Sequence, residues 1–248
     1  MIPLDRPDVH VWRLDLESAT AALGRLAGIL SVDERRRAGA FAFAHVRDRF
    51  VARRGLLRLL LARYVDCAPA DLAFSYGPHG KPELAVPSGD PPVTVSWSHS
   101  NGLGLYALAR GRRIGVDVEA RRALPEAEGL ADLCFSPRER AALAACPRGE
   151  LDAAVLRGWT VKEAYVKAVG AGLSRALESV EVSSRAPPAL LAIDGDPALA
   201  AVWSVHDLAP DAGFVAAAVV EGHEQELRWP AGTTPDLLEM SLDGSFRS

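Results

Sequence analysis

Two carboxylates separated by one residue stand out in Gly115-Val116-Asp117-Val118-Glu119. In an extended strand that spacing puts Asp117 and Glu119 on one face, while Val116 and Val118 point the other way, toward a core. Carboxylates side by side repel, and one pKa rises unless a cation sits between them. Hard oxygen ligands with few other protein donors suit magnesium, which keeps its waters and takes further ligands from a substrate phosphate. Two unrelated acids on a solvent-facing edge would give the same spacing.

A second group lies in Trp159-Thr160-Val161-Lys162-Glu163-Ala164-Tyr165-Val166-Lys167. Helical periodicity collects Trp159, Lys162, Glu163, Val166 and Lys167 on one stripe and Val161, Ala164, Tyr165 and Ala168 on an apolar one. By itself this reads as an exposed face with a Glu163–Lys167 pair four residues apart. A third group, Trp97-Ser98-His99-Ser100, sets serine beside histidine, but no acid at fixed spacing signals a Ser-His-Asp system. Serine-hydrolase chemistry is therefore not expected. Residues 34 to 63 carry Arg35, Arg36, Arg37, Arg47, Arg49, Arg53, Arg54, Arg58 and Arg63 against only Glu34 and Asp48. A local anionic ligand fits that excess, although composition favours a solvated helix face.

The elements that must position these groups follow from patterning. Ser31 as N-cap and Glu34 three residues on predict a helix over 31–39. Phe50, Leu57, Leu60, Leu61 and Tyr64 recur at helical spacing over 45–65, with the arginines between them on the surface. Residues 77–82, with two glycines and two prolines, read as a turn or loop. Three strands follow: 93–98, a return over 103–109 through the tight Asn101-Gly102 pair, and 114–118. As a meander, the first and third strands would run parallel and bring Ser98-His99 and Asp117–Glu119 to one sheet edge, about 10 Å apart. A helix over 151–169 ended by Gly170-Ala171-Gly172, a strand near 180–182 and a hairpin-like pair at 201–206 and 213–220 repeat the element order of the first part. This predicts an α+β fold of two similar halves, 1–111 and 112–222. Beyond Gly222 periodicity is lost, and 223–248 read as a loosely held tail.

The chain of 248 residues is 49% hydrophobic and 24% charged, an ordinary globular balance. The net charge of −4 excludes a generally basic nucleic-acid binder. No apolar run approaches the roughly 20 residues of a membrane span, and the first residues lack a signal-peptide layout, so a cytoplasmic location is expected. Cys67, Cys134 and Cys146 are an odd set without metal-site spacing and read as reduced thiols.

The ordered set GKP (80–82), SHS (98–100), GVDVE (115–119), FSPRE (135–139) and WTVKEAYVKAVGAGLS (159–174) resembles the signature of the Sfp-type 4'-phosphopantetheinyl transferases. The resemblance spans residues 31 to about 220. It implies two related α+β halves, joined near residues 110–113, with coenzyme A in the cleft between them. The phosphopantetheine arm would pass to a serine of an acyl, peptidyl or aryl carrier protein, releasing adenosine 3',5'-bisphosphate. Asp117, Glu119 and Glu163 would surround a magnesium ion, and Glu163 would be the general base. Lys167 would contact phosphate and Lys162 would support the site. Arg49, Lys81 and His99 would meet the nucleotide end and its 3'-phosphate, Pro82 and Ser98 would line the adenine site, and Glu139 would help organise the site. Where relatives carry basic residues before the long helix, this chain has Glu34 and Arg37, so only Arg37 is carried over. The segment from Val118 to FSPRE, with Arg121 and Arg122, is the natural carrier-docking region. A monomer is expected, because two halves in one chain complete a cleft. A magnesium-dependent hydrolase of coenzyme A and a non-catalytic relative that binds it remain alternatives.

Overall fold

The first half begins with strand β1 (Asp8–Asp15) and runs through helices α1 (Leu23–Gly28), α2 (Val32–Gly39) and α3 (Ala44–Leu61). It continues through the short strands β2 (Phe74–Tyr76) and β3 (Pro82–Leu84) to β4 (Val93–Ser100) and β5 (Leu103–Arg110). Strand β6 (Ile114–Ala120) then leads into α4 (Ala127–Cys134), α5 (Pro137–Ala144) and the long α6 (Leu151–Val169). After these come β7 (Val180–Val182), β8 (Leu190–Ile193), α7 (Pro197–Ala200), β9 (Trp203–Asp207), β10 (Phe214–Glu221), β11 (Glu226–Arg228) and α8 (Thr234–Met240). These assignments come from a computed structural model that describes residues 1–240, save Pro78, Gly80, Val86, Arg148, Leu173, Ser174, Ser184, Ala186 and Ala209. Parts of the GKP and GAGLS motifs and residues 241–248 of the expected tail thus lie outside the described residues. Among the described residues no helix is long and apolar enough to cross a membrane.

Two sheets carry the fold. One has the order β11-β1-β5-β4 and the other β6-β10-β9. Helix α3 covers the first through Leu56, Leu57 and Leu60 against Trp12, Tyr106 and Val95. Helix α6 covers the second through Val161, Ala164 and Ala168 against Ala217 and Val219. Between the sheets, Val9, Val11, Leu105 and Ala107 share a core with Ile114, Val116, Val118 and Ala218. The mixed α+β class is as expected, and a long helix on a largely antiparallel sheet occurs twice.

Three expectations change. First, β6 does not complete a meander. Asn101-Gly102 does close the β4–β5 hairpin, with Asn101 at φ 45° and Gly102 at φ 80°. Strand β6, however, pairs antiparallel with β10 and joins the second sheet. Strand β4 meets it through hydroxyls in place of a backbone ladder: Val116 N donates to Ser96 Oγ at 3.1 Å, Ala120 N to Ser100 Oγ at 3.0 Å, and Thr94 Oγ1 to the Arg112 carbonyl at 2.7 Å. The polar face of β4 is therefore the seam between the sheets.

Second, the arginines of α3 do not all face solvent. The capping box of α2 forms as expected, with Ser31 and Glu34 each bonding the other's backbone N–H. The Glu34 carboxylate is itself buried and accepts Arg54 Nε at 2.5 Å and Arg58 Nε at 2.6 Å. Burial would raise the Glu34 carboxyl, but the Arg58 and Ser31 hydrogen bonds and both arginine charges outweigh it and hold the group below its ordinary range.

Third, the chain after Gly222 is not loose through residue 240. Strand β11 pairs parallel with β1 and covers the edge of the first sheet. In α8, Leu237 and Leu238 enter the α3 core, and Thr234 Oγ1 accepts from Asp15 N at 2.9 Å. Leu237→Ala is expected to cost about 2–4 kcal/mol, read as a lower urea midpoint at unchanged m-value. A loose tail would leave the midpoint where it is.

Candidate active site

The acids of β6 reach α6 because a glycine lets the strand approach. A Cβ at Gly115 would lie 1.9 Å from the Ala164 carbonyl oxygen and 2.5 Å from the Ala168 nitrogen, so strand and helix meet backbone to backbone there. Ala164 follows Glu163 in the chain and Ala168 follows Lys167, and both functional side chains are thereby brought to the seam. The face alternation of β6 holds: Val116 and Val118 enter the inter-sheet core, while Asp117 looks toward the helix.

Asp117 is buried, and its Oδ1 accepts Ser98 Oγ at 2.7 Å and Lys167 Nζ at 2.6 Å. Lys167 also donates to Ser98 Oγ at 2.9 Å, which closes a triangle of serine, aspartate and lysine. Asp117 Oδ2 is buried and has no hydrogen-bond partner among the described residues. Burial pushes the Asp117 carboxyl up, outweighing the Lys167 charge and the hydrogen bonds from Lys167 and Ser98. Glu163 is also raised, first by burial and then by the Asp117 charge, with Lys167 opposing and Glu119 adding to the rise. Glu163 therefore feels the charge of both Asp117 and Glu119, with Lys167 as the opposing cation. Glu119 is turned partly outward: its Oε2 accepts Arg122 Nη1 at 3.0 Å and Ser100 Oγ at 3.4 Å.

Among the described residues no three His, Cys, Asp or Glu side chains stand as a ready-made metal seat. The donor set still fits a hard divalent cation. A buried carboxylate oxygen has no partner among the described residues, and a second carboxylate is raised first by burial and then by its acidic neighbours, an arrangement that a bound cation would relieve.

A cavity of about 250 Å³ opens beside this cluster, with Lys81, Pro82, Ser96, Trp97, Glu163 and Lys167 on its walls. Lys81 lines this cavity and not the one that holds Arg49 and His99, and its ammonium is engaged by the end of α6, donating to the Ala168 carbonyl at 2.9 Å and the Ile114 carbonyl at 3.4 Å. Burial lowers that ammonium to about 8, against the pull of Glu83. At the other end of β4 a second cavity of about 230 Å³ is lined by Glu17, Arg49, Arg53, His99 and Asn101. The Arg53 guanidinium touches the His99 ring, and burial followed by the Arg53, Lys167 and Arg49 charges holds the imidazole down, to about 4. Arg49 has an ion pair to Glu17 at 3.6 Å, and the Arg37 guanidinium lies 5.4 Å from the Phe50 ring centre. Both arginines depress the Arg53 guanidinium after burial, so Arg37, Arg49 and Arg53 form one cationic cluster, of which Arg49 and Arg53 stand at His99. Such a cluster suits an anion. Sequence reading missed Arg53, although its position one helical turn after Arg49 was a usable signal.

Lys162 is not brought to the Asp117 cluster. It is fully buried on the opposite side of α6, where it donates to Glu139 Oε2 at 2.8 Å and to the Leu177 and Val180 carbonyls, with the Phe135 ring centre 4.9 Å away. Glu139 also accepts from Ser136 N and Val182 N, each at 2.7 Å. This pair ties α5, α6 and β7 together. Lys162→Met would strand a buried carboxylate and is expected to destabilise the fold by about 3 kcal/mol, measured by chemical denaturation. A lysine serving only chemistry would leave stability unchanged.

Architecture and site together define a two-sheet α+β enzyme whose cleft, along the seam, combines clustered acids with cationic walls. The model of the 4'-phosphopantetheinyl transferase superfamily matches residues 113–219. The 4'-phosphopantetheinyl transferase HetI of Nostoc sp. is 38% identical over 216 residues, covering 87% of this chain and 88% of that one. A 4'-phosphopantetheinyl transferase of Bacillus subtilis is 27% identical over 158 residues, covering 64% and 68%. This chain belongs to the 4'-phosphopantetheinyl transferase superfamily.

Proposed function

We propose that the protein transfers the 4'-phosphopantetheine arm of coenzyme A to a serine hydroxyl of a carrier protein. The observation that carries this reading is the Ser98–Asp117–Lys167 triangle beside Glu163, set in a cleft between cationic walls, in a chain of this superfamily. In the reaction the serine Oγ bonds to the β-phosphorus, the bond from that phosphorus to the bridging oxygen breaks, and adenosine 3',5'-bisphosphate leaves.

Serine is a poor nucleophile, and a positioned base helps it. Glu163 is the proposed base: it lines the cleft, and its raised carboxyl suits a group that takes and returns a proton. Lys167 would turn its ammonium from Asp117 toward phosphate oxygens. Arg49, Arg53, His99 and Arg37 would bind the 3'-phosphate end, with Lys81, Pro82 and Ser98 along the nucleotide. Asp117, Glu119 and Glu163 would hold a magnesium ion, which when bound supplies charge neutralisation for the diphosphate. Lys162 and Glu139 act on α6 from behind. Arg122 folds onto Glu119, so of the two arginines expected at the docking segment, Arg121 is the better candidate for an acidic carrier surface.

Incubation with coenzyme A, magnesium and a serine-bearing carrier domain is expected to add the mass of the arm to the carrier. Breakdown of coenzyme A with an unmodified carrier would replace the transferase with a hydrolase.

A further inference from the structure

Arg54 of α3 stands behind the cleft and makes four contacts, one of them to a cleft wall. It is buried, its Nε donates to Glu34 Oε1 at 2.5 Å, and its Nη2 donates to the Tyr76 hydroxyl at 2.9 Å. The guanidinium lies 4.6 Å from the Phe74 ring centre and 5.4 Å from that of Trp97. Phe74 and Tyr76 belong to β2, and Trp97 to β4.

Strand register gives these contacts their consequence. Tyr76 stands opposite Pro82 and Phe74 opposite Leu84 in the β2–β3 pair. That pair is a separate two-stranded sheet of three residues a side, too small to hold its place unaided. Pro82, Lys81 and Trp97 are walls of the cleft beside Glu163 and Lys167. One guanidinium therefore grips the outer strand of the hairpin and the Trp97 wall, and Glu34 fixes that guanidinium to α2. Arg58 occupies the other Glu34 oxygen and donates to the Pro69 and Leu72 carbonyls at 2.8 and 2.9 Å, which anchors the approach to the same hairpin.

We propose that Arg54 is a positioning residue for the donor, setting the distance between the β2–β3 hairpin and Trp97 and hence the shape of the coenzyme A cleft. It touches neither the clustered acids nor the reacting atoms, so its effect falls on donor affinity. The planar fork is essential, because an ammonium cannot hold Glu34, reach Tyr76 and stay beside both rings at once. This inference rests on the reading of the cleft as a coenzyme A site.

The test is the dissociation constant for coenzyme A by calorimetry, with kcat and KM for donor and carrier, on the full chain and two variants. Arg54→Lys is expected to raise both Kd and donor KM about tenfold, as displaced binding groups do, with kcat and carrier KM within about twofold of wild type. Tyr76→Phe removes one hydrogen bond at an exposed position and is expected to move the same constants about threefold at an unchanged melting temperature. Donor constants within about twofold of wild type in both variants would overturn the proposal, as would a loss confined to kcat. If Arg54→Lys does not fold, Tyr76→Phe decides alone. A wild-type protein that binds coenzyme A without modifying a carrier would sink the transferase reading, and the Kd comparison would still decide the role of Arg54.

Discussion

Glu163→Gln is expected to lower transfer by about a hundredfold to ten-thousandfold, the range spanned by loss of a general base. The amide keeps the size and one acceptor of the side chain but cannot take a proton. Glu163 is half-buried on a helix held in the core by Val161, Ala164 and Ala168 and not by Glu163 itself, so the substitution should leave the melting temperature near that of wild type. Burial and the Asp117 charge both disfavour its ionised form, and neutralising it should if anything relieve the site. The informative comparison is kcat against donor KM at saturating magnesium: a base lost from the chemical step lowers kcat and leaves KM nearly unmoved. Near-normal kcat would remove Glu163 from the chemistry.

Asp117→Ala is expected to abolish transfer to at least about a hundredfold below wild type, because the buried carboxylate is both the partner of Lys167 and a proposed cation ligand. It would leave Lys167 bonded to Ser98 alone among the contacts described, and the lysine, itself partly exposed, can turn to solvent. The fold should therefore survive. Asp117→Asn separates the two roles: it keeps the shape and one acceptor for Lys167 while removing the charge a divalent ion requires. Activity restored by Asn would assign Asp117 to positioning Lys167, and activity still absent would assign it to the charge.

Local signals in the sequence proved sound, and pairings over distance did not. The capping box of Ser31 and Glu34, the Asn101-Gly102 turn and the Gly170 end of α6 each depend on a few adjacent residues, and each forms. Alternation in 93–98 and 114–118 fixed which side chains share a face, but alternation carries no information about a strand's neighbour. A meander therefore puts β6 in the wrong sheet, while the serines at 96, 98 and 100 are the seam that brings Ser98 within 2.7 Å of Asp117. Helical periodicity likewise located the arginines of α3 without revealing that Glu34, twenty and twenty-four residues earlier, neutralises Arg54 and Arg58 in the interior. Lys162 and Glu163 are adjacent, and only the packing of α5 and β7 shows that the first turns away from the cleft. In α8, two adjacent leucines within seven residues were too short a pattern to reveal a packed helix.

Whether Asp117, Glu119 and Glu163 share one divalent ion is decided most directly by titrating manganese into metal-stripped protein with coenzyme A present, counting bound ions from the loss of the free-ion resonance. The expected result is one ion per chain, with affinity lowered at least about tenfold in Asp117→Ala and in Glu163→Gln. Ion affinity equal to wild type in both variants would contradict a shared cation at the seam.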